Sequence, residues 1–240
     1  NAFALGELVA EGAVERLGAG EVPPVPRRVQ QLVGQRLQSL GPQARALVEA
    51  AAVLGSPAPL QVLQSLCDGL SDDQAWPACE QALAAEQLHD EGGALRCRHD
   101  LIRSAALAAL APARLQWLHR RAALALGAAS ASEALIVAGH WEAACETPNA
   151  LAWLYRGATQ QKARGRFEEA RSLWQRVAQE SSDRTLALKA QLALAECALF
   201  EDLAVGRQGL VQVLAKTGAV ADETKVRQIE AQALSGLIDN

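Results

Sequence analysis

The sequence predicts a mostly all-α protein with one small β-hairpin, followed by repeated antiparallel pairs of helices. Half of the 240 residues are hydrophobic, only 4% are aromatic, and alanine and leucine recur throughout, a composition that favours closely packed helices. Apolar residues recur at intervals of three and four along most of the chain, which is the period of an amphipathic helix. One segment carries a strand signal instead, because two short runs of residues flank a pair of glycines that suits a tight turn.

Proline and glycine separate the helices in the first part of the chain. Gly41 ends one predicted helix, and Pro42 begins the next. Ser71 is predicted to cap a helix whose first turn is acidic, and Pro77 lies early enough in that helix to be tolerated. The predicted helices cover residues 1–18, 26–40, 42–54, 60–66 and 71–85.

The strand-like segment, residues 87–98, predicts a tight hairpin. Gly92 and Gly93 lie at its centre, and two glycines suit a two-residue turn in which both positions need positive φ. Three helices followed by a hairpin is the order of elements in a winged helix. Helices are predicted to resume after His99, and the small residues 127–132 are predicted to form a linker.

Beyond the linker, a self-similar pattern recurs at a spacing of about 36 residues, as in tetratricopeptide-like repeats. Predicted helices cover residues 150–163 and 167–178, then 185–199 and 203–214, and residues 226–237 begin a third unit. The corresponding pairs are Phe167 and Leu203, Trp174 and Leu210, and Val177 and Val213. Because one hairpin cannot bury its apolar face alone, the hairpins are predicted to stack, with Phe167, Trp174, Leu203 and Leu210 buried at equivalent places.

Charge and hydropathy limit the classes of partner. The formal net charge of −4 gives no overall attraction to nucleic acid or to an anionic membrane. No uncharged apolar run approaches the roughly 18–20 residues of a membrane span, and the acidic N-terminal segment is wrong for a signal peptide. We therefore expect a cytoplasmic protein. Because the chain contains no methionine and opens with Asn1, we also expect it to be part of a longer polypeptide.

The cysteines predict no cross-link and no metal site. The chain has five of them, an odd number, and their spacing matches neither a zinc pattern nor a disulfide framework. We interpret them as buried, reduced thiols of a cytosolic protein. The five are Cys67, Cys79, Cys97, Cys145 and Cys197.

The usual sequence marks of catalysis are missing, so the chain is not predicted to be an enzyme. It contains no Gly-x-x-x-x-Gly-Lys-Ser/Thr loop, no Gly-x-Gly-x-x-Gly motif and no His-Glu-x-x-His motif. Its four histidines form no pair close enough on one helix to suggest a metal site. Glu168 and Glu169 are adjacent and point in different directions on a helix, so they are interpreted as a solvated helix start.

The most specific feature is the segment that follows the predicted hairpin, Arg98-His99-Asp100-Leu101-Ile102-Arg103. His99 lies where the hairpin passes into a helix, and a helix N-terminus suits a polar or anionic partner. The alternative interpretation is that His99 caps the helix or satisfies a buried backbone group.

These features together resemble the region after the nucleotide-binding core in signal-transduction ATPases with numerous domains. That family includes the large ATP-dependent LuxR-like transcription regulators of bacteria. Residues 1–8 resemble the end of its lid segment, residues 26–37 and 50–55 resemble its next two helices, and residues 98–103 resemble its Arg-His-x-Leu-Ile-Arg signature. The resemblance covers roughly residues 1–125. The chain departs from it at Ala2, where the family commonly has proline, and at Arg98, where related plant and animal switches have methionine.

The resemblance implies a domain organisation and a function. Residues 1–41 would be the end of the lid and its linker helices, residues 42–126 a winged-helix domain, and residues 127–240 a truncated set of tetratricopeptide-like repeats. His99, with Asp100 beside it, would contact the β-phosphate of ADP and hold the closed state. ATP or ADP would then be bound by the parent protein, and this chain would hold no cofactor.

The partners implied are the nucleotide-binding core of the same polypeptide and an inducer or protein on the repeats. We expect the chain to relay the nucleotide state in transcription regulation, without direct contact to DNA or membrane. Two other functions stay open: a DNA-binding winged helix, and a plain scaffold of helical repeats.

Arginines at residues 96–121 favour the DNA-binding alternative, and an acidic candidate recognition helix counts against it. The arginines are Arg96, Arg98, Arg103, Arg114, Arg120 and Arg121, with Asp100 as the only acidic residue among them. The acidic residues of the helix are Asp72, Asp73 and Glu80.

Overall fold

A computed structural model describes residues 27–129, 134–217, 228–229 and 231–235 of the chain. The described part is mostly helical, with one small antiparallel hairpin after the early helices and then stacked consecutive helix pairs, which confirms the predicted fold class. The chain divides into two compact units, Asn1–Ala125 and Leu126–Asn240. The predicted helix at residues 1–18 lies outside the described residues.

The first unit is built around its second helix, α2, in which most side chains are buried. Pro42 begins this helix and Gly55 ends it with a positive φ of 70°, a conformation that glycine adopts without steric cost. The helix packs against α4, α5 and the hairpin, so it forms the centre of this core. The first four helices are α1 (Arg27–Gln38), α2 (Pro42–Leu54), α3 (Leu60–Leu66) and α4 (Asp72–Ala84).

Helix α4 begins as the sequence predicts. The side chain of Gln74 accepts a hydrogen bond from the backbone N–H of Ser71 at 3.5 Å, which is half of a capping box. Asp72 and Asp73 occupy the first turn, where carboxylates complement the helix dipole. Pro77 lies inside the helix with its side chain exposed, so the helix tolerates it.

The predicted hairpin is confirmed, with strands β1 (Leu88–Glu91) and β2 (Ala94–Cys97) paired antiparallel. Gly92 and Gly93 have φ values of 65° and 93°, and the N–H of Gly93 donates to Oδ1 of Asp90 at 2.7 Å. Leu95 of β2 exchanges two backbone hydrogen bonds with Ala58, at 2.8 and 3.0 Å. The hairpin is therefore fixed to the loop before α3.

Two helices follow the hairpin, α5 (Asp100–Ala109) and α6 (Pro112–Ala129). The second is longer than expected: residues 127–129 are helical, so the predicted linker does not begin at residue 127. Alanine favours helix, and Gly127 lies so close to the ring of Trp153 that an added Cβ would be 2.9 Å from it. A small residue at 127 thus serves packing within the second unit. Residues 130–132 of that linker lie outside the described residues.

The second unit is a stack in which each helix packs against the next one along the chain. Its helices are α7 (Ala134–Ala143), α8 (Thr147–Ala163), α9 (Phe167–Glu180), α10 (Arg184–Leu199) and α11 (Leu203–Thr217). The pairs α8–α9 and α10–α11 are the two predicted hairpins. Of the predicted third unit, residues 228–229 and 231–235 are described, and they are helical, with Ile229 and Ala233 buried against the core of α10 and α11.

The predicted equivalence of the repeats is right in the middle of each hairpin and wrong at its start. Trp174 and Leu210 are buried, with 2% and 0% of their surface exposed, but Phe167 is 54% exposed and Leu203 is 45% exposed. The latter two are the first residues of α9 and α11. They lie at the turn end of each hairpin, where fewer helices surround a side chain than at the level of Trp174.

Candidate functional site

His99 occupies the junction between strand β2 and helix α5. The backbone holds this junction in place: the N–H of Arg98 donates to the carbonyl of Gln87 at 3.1 Å, and the carbonyl of His99 accepts from Ile102 and Arg103 at 3.0 and 3.2 Å. His99 is the N-cap residue of α5, in extended conformation. Both predicted site residues, His99 and Asp100, are exposed.

The side chain of His99 does not cap its helix. It makes no cap hydrogen bond, although its backbone carbonyl accepts the first bonds of α5. Asp100 lies in the first turn, where its carboxylate complements the helix dipole. The capping alternative is therefore wrong for the side chain, and the imidazole faces solvent at the start of a helix.

The arginines on either side of His99 are already engaged with the protein. The guanidinium of Arg98 lies 3.6 Å from the carboxylate of Glu86. Nε of Arg103 donates to the carbonyl of Ala52 at 2.9 Å, near the C-terminus of α2, where carbonyl groups lack helical partners. Arg103 thus ties the helix that follows His99 to the central helix of the unit, whereas His99 and Asp100 expose their side chains at the junction.

Several arginines of the stretch at residues 96–121 form ion pairs within the first unit. Asp68 pairs with two of its arginines, Arg114 at 3.7 Å and Arg121 at 2.6 Å, and both guanidinium groups also stack over the ring of Trp117. Arg96 pairs with Glu91 at 2.9 Å. These contacts reduce the positive charge that would be offered to a phosphate backbone.

Helix α4, the candidate recognition helix, presents an acidic surface. Asp72, Asp73 and Glu80 are exposed, and the helix contains no basic residue. Trp76 is 56% exposed, and its Nε1 donates to Oε1 of Glu80 at 3.0 Å. This surface would repel the phosphates of DNA.

Four of the five thiols have a raised pKa. Burial raises the pKa of Cys67 and of Cys97 to about 11, and it also raises the pKa of Cys79 and of Cys197. Thiols with raised pKa stay protonated at neutral pH and are weak nucleophiles. Two cysteines differ from the expectation of buried thiols: Cys97 is half-buried, and Cys145 is exposed, with a φ of 60° in the turn after α7.

The histidines differ in burial. His140 is buried and His89 is exposed. The pKa of His119 is lowered, mainly by burial and to a smaller extent by the charge of Arg103. Among the described residues, no group of three or more histidine, cysteine, aspartate and glutamate side chains is placed to hold a metal ion. Glu168 and Glu169 are exposed at the start of α9, as the sequence predicts.

The structure also contains a concave site that the sequence did not predict, which we call the turn groove. It lies at the turn end of the two helical hairpins and has a volume of about 640 Å³. Its lining consists of Lys162, Gly165, Phe167, Glu168, Arg171, Cys197, Phe200 and Glu201. The signal for it in the sequence is the pair Phe167 and Phe200, two aromatic residues beside the repeated turns.

No helix within the described ranges combines the length and the apolar character needed to cross a bilayer. No protein-family model, curated protein sequence or solved structure matches this chain.

Proposed function

We propose that this chain is a non-catalytic relay and sensor module of a nucleotide-switched signalling ATPase, of the kind that regulates bacterial transcription. It carries the nucleotide state of the ATPase core to helical repeats that bind an inducer or a partner. The observation that carries the proposal is His99: an exposed imidazole, at the exit of a hairpin and the start of a helix, within a sequence that resembles the signature of that family.

The backbone around His99 suits a contact with a phosphate. The hydrogen bonds of Arg98 with Gln87 and of His99 with α5 hold the main chain in place, so a ligand would immobilise little more than one side chain. An imidazole N–H donates to an anionic phosphate oxygen in a charge-assisted hydrogen bond, worth about 1.5–3 kcal/mol. If this bond exists only in the closed state with ADP, it biases the two states by that difference.

A path for the relay exists inside the first unit. His99 leads directly into α5, and Arg103 of α5 is bonded to the carbonyl of Ala52 at the end of α2. Helix α1 packs on the same α5. We therefore expect a displacement of His99 to move α5, which contacts both α1 and α2. The chain continues from α5 through α6 to the repeats.

The test is the basal output of the complete regulator, measured with a transcriptional reporter without inducer. His99→Ala is expected to raise basal output, because the closed state loses a contact that the open state does not make. His89→Ala is the matched control, since His89 is also an exposed histidine of the same unit and lies on β1 of the hairpin. Unchanged basal output in His99→Ala contradicts the relay.

The second candidate is an interaction scaffold without a nucleotide switch, and the stack of helix pairs in the second unit favours it. The two candidates differ in what the rest of the polypeptide contains. A phosphate-binding Walker A loop in the same polypeptide supports the switch, and a polypeptide without one favours the scaffold. The DNA-binding alternative is weakened by the ion pairs of Arg96, Arg114 and Arg121 and by the acidic surface of α4.

A further inference from the structure

The turn groove has the dimensions of a small-molecule site. Its volume of about 640 Å³ lies within the range of roughly 300–1,000 Å³ that is usual for pockets of that kind. Two successive hairpins supply its walls: the end of α8 and the start of α9 on one side, and the end of α10 with the turn after it on the other. The site therefore exists because the hairpins stack.

Two aromatic rings in this groove are exposed to solvent. Phe200 is 88% exposed and Phe167 is 54% exposed, although both line the same concave surface. Covering such a ring removes a large apolar area from water, and exposed aromatic surface in a concave place is typical of a binding site. Cys197, which is buried, adds a further apolar contact to the lining.

The charged side chains of the groove balance one another. Arg171 pairs with Glu201 and lies 3.8 Å from the carboxylate of Glu168. Lys162 lies 3.7 Å from Glu196. A charged ligand would lose hydration here without finding an unmatched counter-charge, whereas a neutral ligand only displaces water from apolar surface.

From these observations we propose that the turn groove binds a neutral small molecule with an aromatic ring system, which contacts Phe167 and Phe200. We further identify this molecule as the inducer of the relay, and only this step rests on the proposed function. A protein partner is the poorer occupant, because the described part of the chain lines the groove with eight residues, whereas a stable protein interface uses roughly 20–30 residues on each side.

The test uses two fluorescent probes that differ by one charged group. N-phenyl-1-naphthylamine is neutral, and 8-anilino-1-naphthalenesulfonate is the same ring skeleton with a sulfonate. Titrated into the whole chain, the neutral probe is expected to bind saturably with one site per chain. The sulfonate is expected to bind at least about tenfold more weakly, because it finds no free positive charge.

Variants place the probe in the groove. Phe200→Ala is expected to weaken binding of the neutral probe about tenfold or more, and a side chain that is 88% exposed can be truncated without loss of the fold, which a thermal melt verifies. Val211→Ala is the matched control, since Val211 is an exposed apolar residue of α11 outside the groove. Glu201→Gln removes the main partner of Arg171 and is expected to shift the preference toward the sulfonate.

Three results would overturn the proposal. The first is that the neutral probe binds Phe200→Ala and the unaltered chain with equal affinity. The second is that the unaltered chain binds the sulfonate more tightly than the neutral probe. The third is a dimer that Phe200→Ala dissociates in sedimentation experiments, which would make a second copy the occupant. All these measurements use this chain without nucleotide. A failure of the relay would instead appear as unchanged basal output in His99→Ala, with probe binding intact.

Discussion

Trp174 lies in the core of the second unit, where it is 2% exposed, and Nζ of Lys162 lies 5.8 Å from the centre of its ring. The buried cluster around it combines small residues, such as Ala158 and Ala170, with larger ones, such as Leu151 and Leu154. Its indole N–H has no hydrogen-bond partner among the described residues, which makes the ring's contribution mainly one of packing. Trp174 is therefore the residue by which the stacking of the hairpins is best measured.

Trp174→Ala is expected to lower the free energy of unfolding by about 3–5 kcal/mol, because it removes a buried ring and leaves a cavity. Trp174→Phe is the control: it keeps an aromatic ring and removes the unpaired N–H, so its cost is expected to be smaller than that of Trp174→Ala. Denaturant titration measures both. A loss below about 1 kcal/mol in Trp174→Ala would mean that the ring is not part of the core.

Glu49 makes stability depend on pH. Burial raises its pKa, and the charges of Arg114 and Arg45 only partly offset that effect. A carboxyl whose pKa is higher in the folded than in the unfolded state contributes stability below the unfolded pKa, and this contribution is lost as pH rises through the folded pKa. Glu49→Gln is therefore expected to be more stabilising, relative to the parent chain, at pH 7 than at pH 3. Denaturant titration at the two pH values measures this, and an equal effect at both would contradict it.

At the scale of elements, glycine decides how closely neighbouring helices approach. A Cβ on Gly206 of α11 would lie 2.6 Å from the backbone nitrogen and 2.7 Å from the Cα of Leu199. Backbone atoms cannot rotate away as a side chain can, so a methyl group here would separate α10 from α11. In the preceding hairpin the buried Ala170 lies at the corresponding position, about 36 residues earlier.

Gly206→Ala is expected to destabilise the second unit by about 1–3 kcal/mol, through this steric conflict. Gly139→Ala is the matched control, because Gly139 is an exposed glycine within α7 and a Cβ there would meet nothing within 4 Å. That substitution is expected to stabilise the chain by roughly 0.5–1 kcal/mol, as alanine does in a helix. Thermal melts of the two variants should shift in opposite directions, and a shift in the same direction would show that the close approach is absent.

The elements that the sequence predicts best are those with a local signal. Gly41-Pro42 and the two glycines of the hairpin mark boundaries through their own backbone preferences, and these elements form where expected. Helix α7 had no such signal: it is apolar on most of its surface, so no amphipathic period stands out from its sequence. The extension of α6 to Ala129 places Gly127 against Trp153, and a contact between residues so distant in the chain leaves no local signal.

The candidate sites also divide into one with a local signal in the sequence and one that depends on contacts between distant residues. The position of His99 at the junction of hairpin and helix follows from the local order of elements, so it could be predicted. The turn groove could not, because it depends on two hairpins that bring Phe167 beside Phe200. A repeat pattern gives equivalent positions along the chain, but it does not show which of them are exposed at the turn end of a hairpin, where Phe167 lies.

At the scale of the whole molecule, we expect that this chain neither binds ATP tightly nor hydrolyses it. The sequence lacks the phosphate loop that cradles a nucleotide, and the described residues bring no metal-binding group together. Calorimetry and a phosphate-release assay on the isolated chain test this. Specific micromolar binding of ATP would contradict the assignment of the nucleotide to a separate core.

If His99 reports the nucleotide state, as we propose, its loss must change the affinity for ADP. In the complete regulator, His99→Ala is expected to weaken ADP binding roughly ten- to a hundredfold, the loss of one hydrogen bond to a charged acceptor. His89→Ala is expected to leave that affinity unchanged. Isothermal titration with ADP measures all three proteins, and an equal dissociation constant for His99→Ala and the unaltered regulator would contradict the claim.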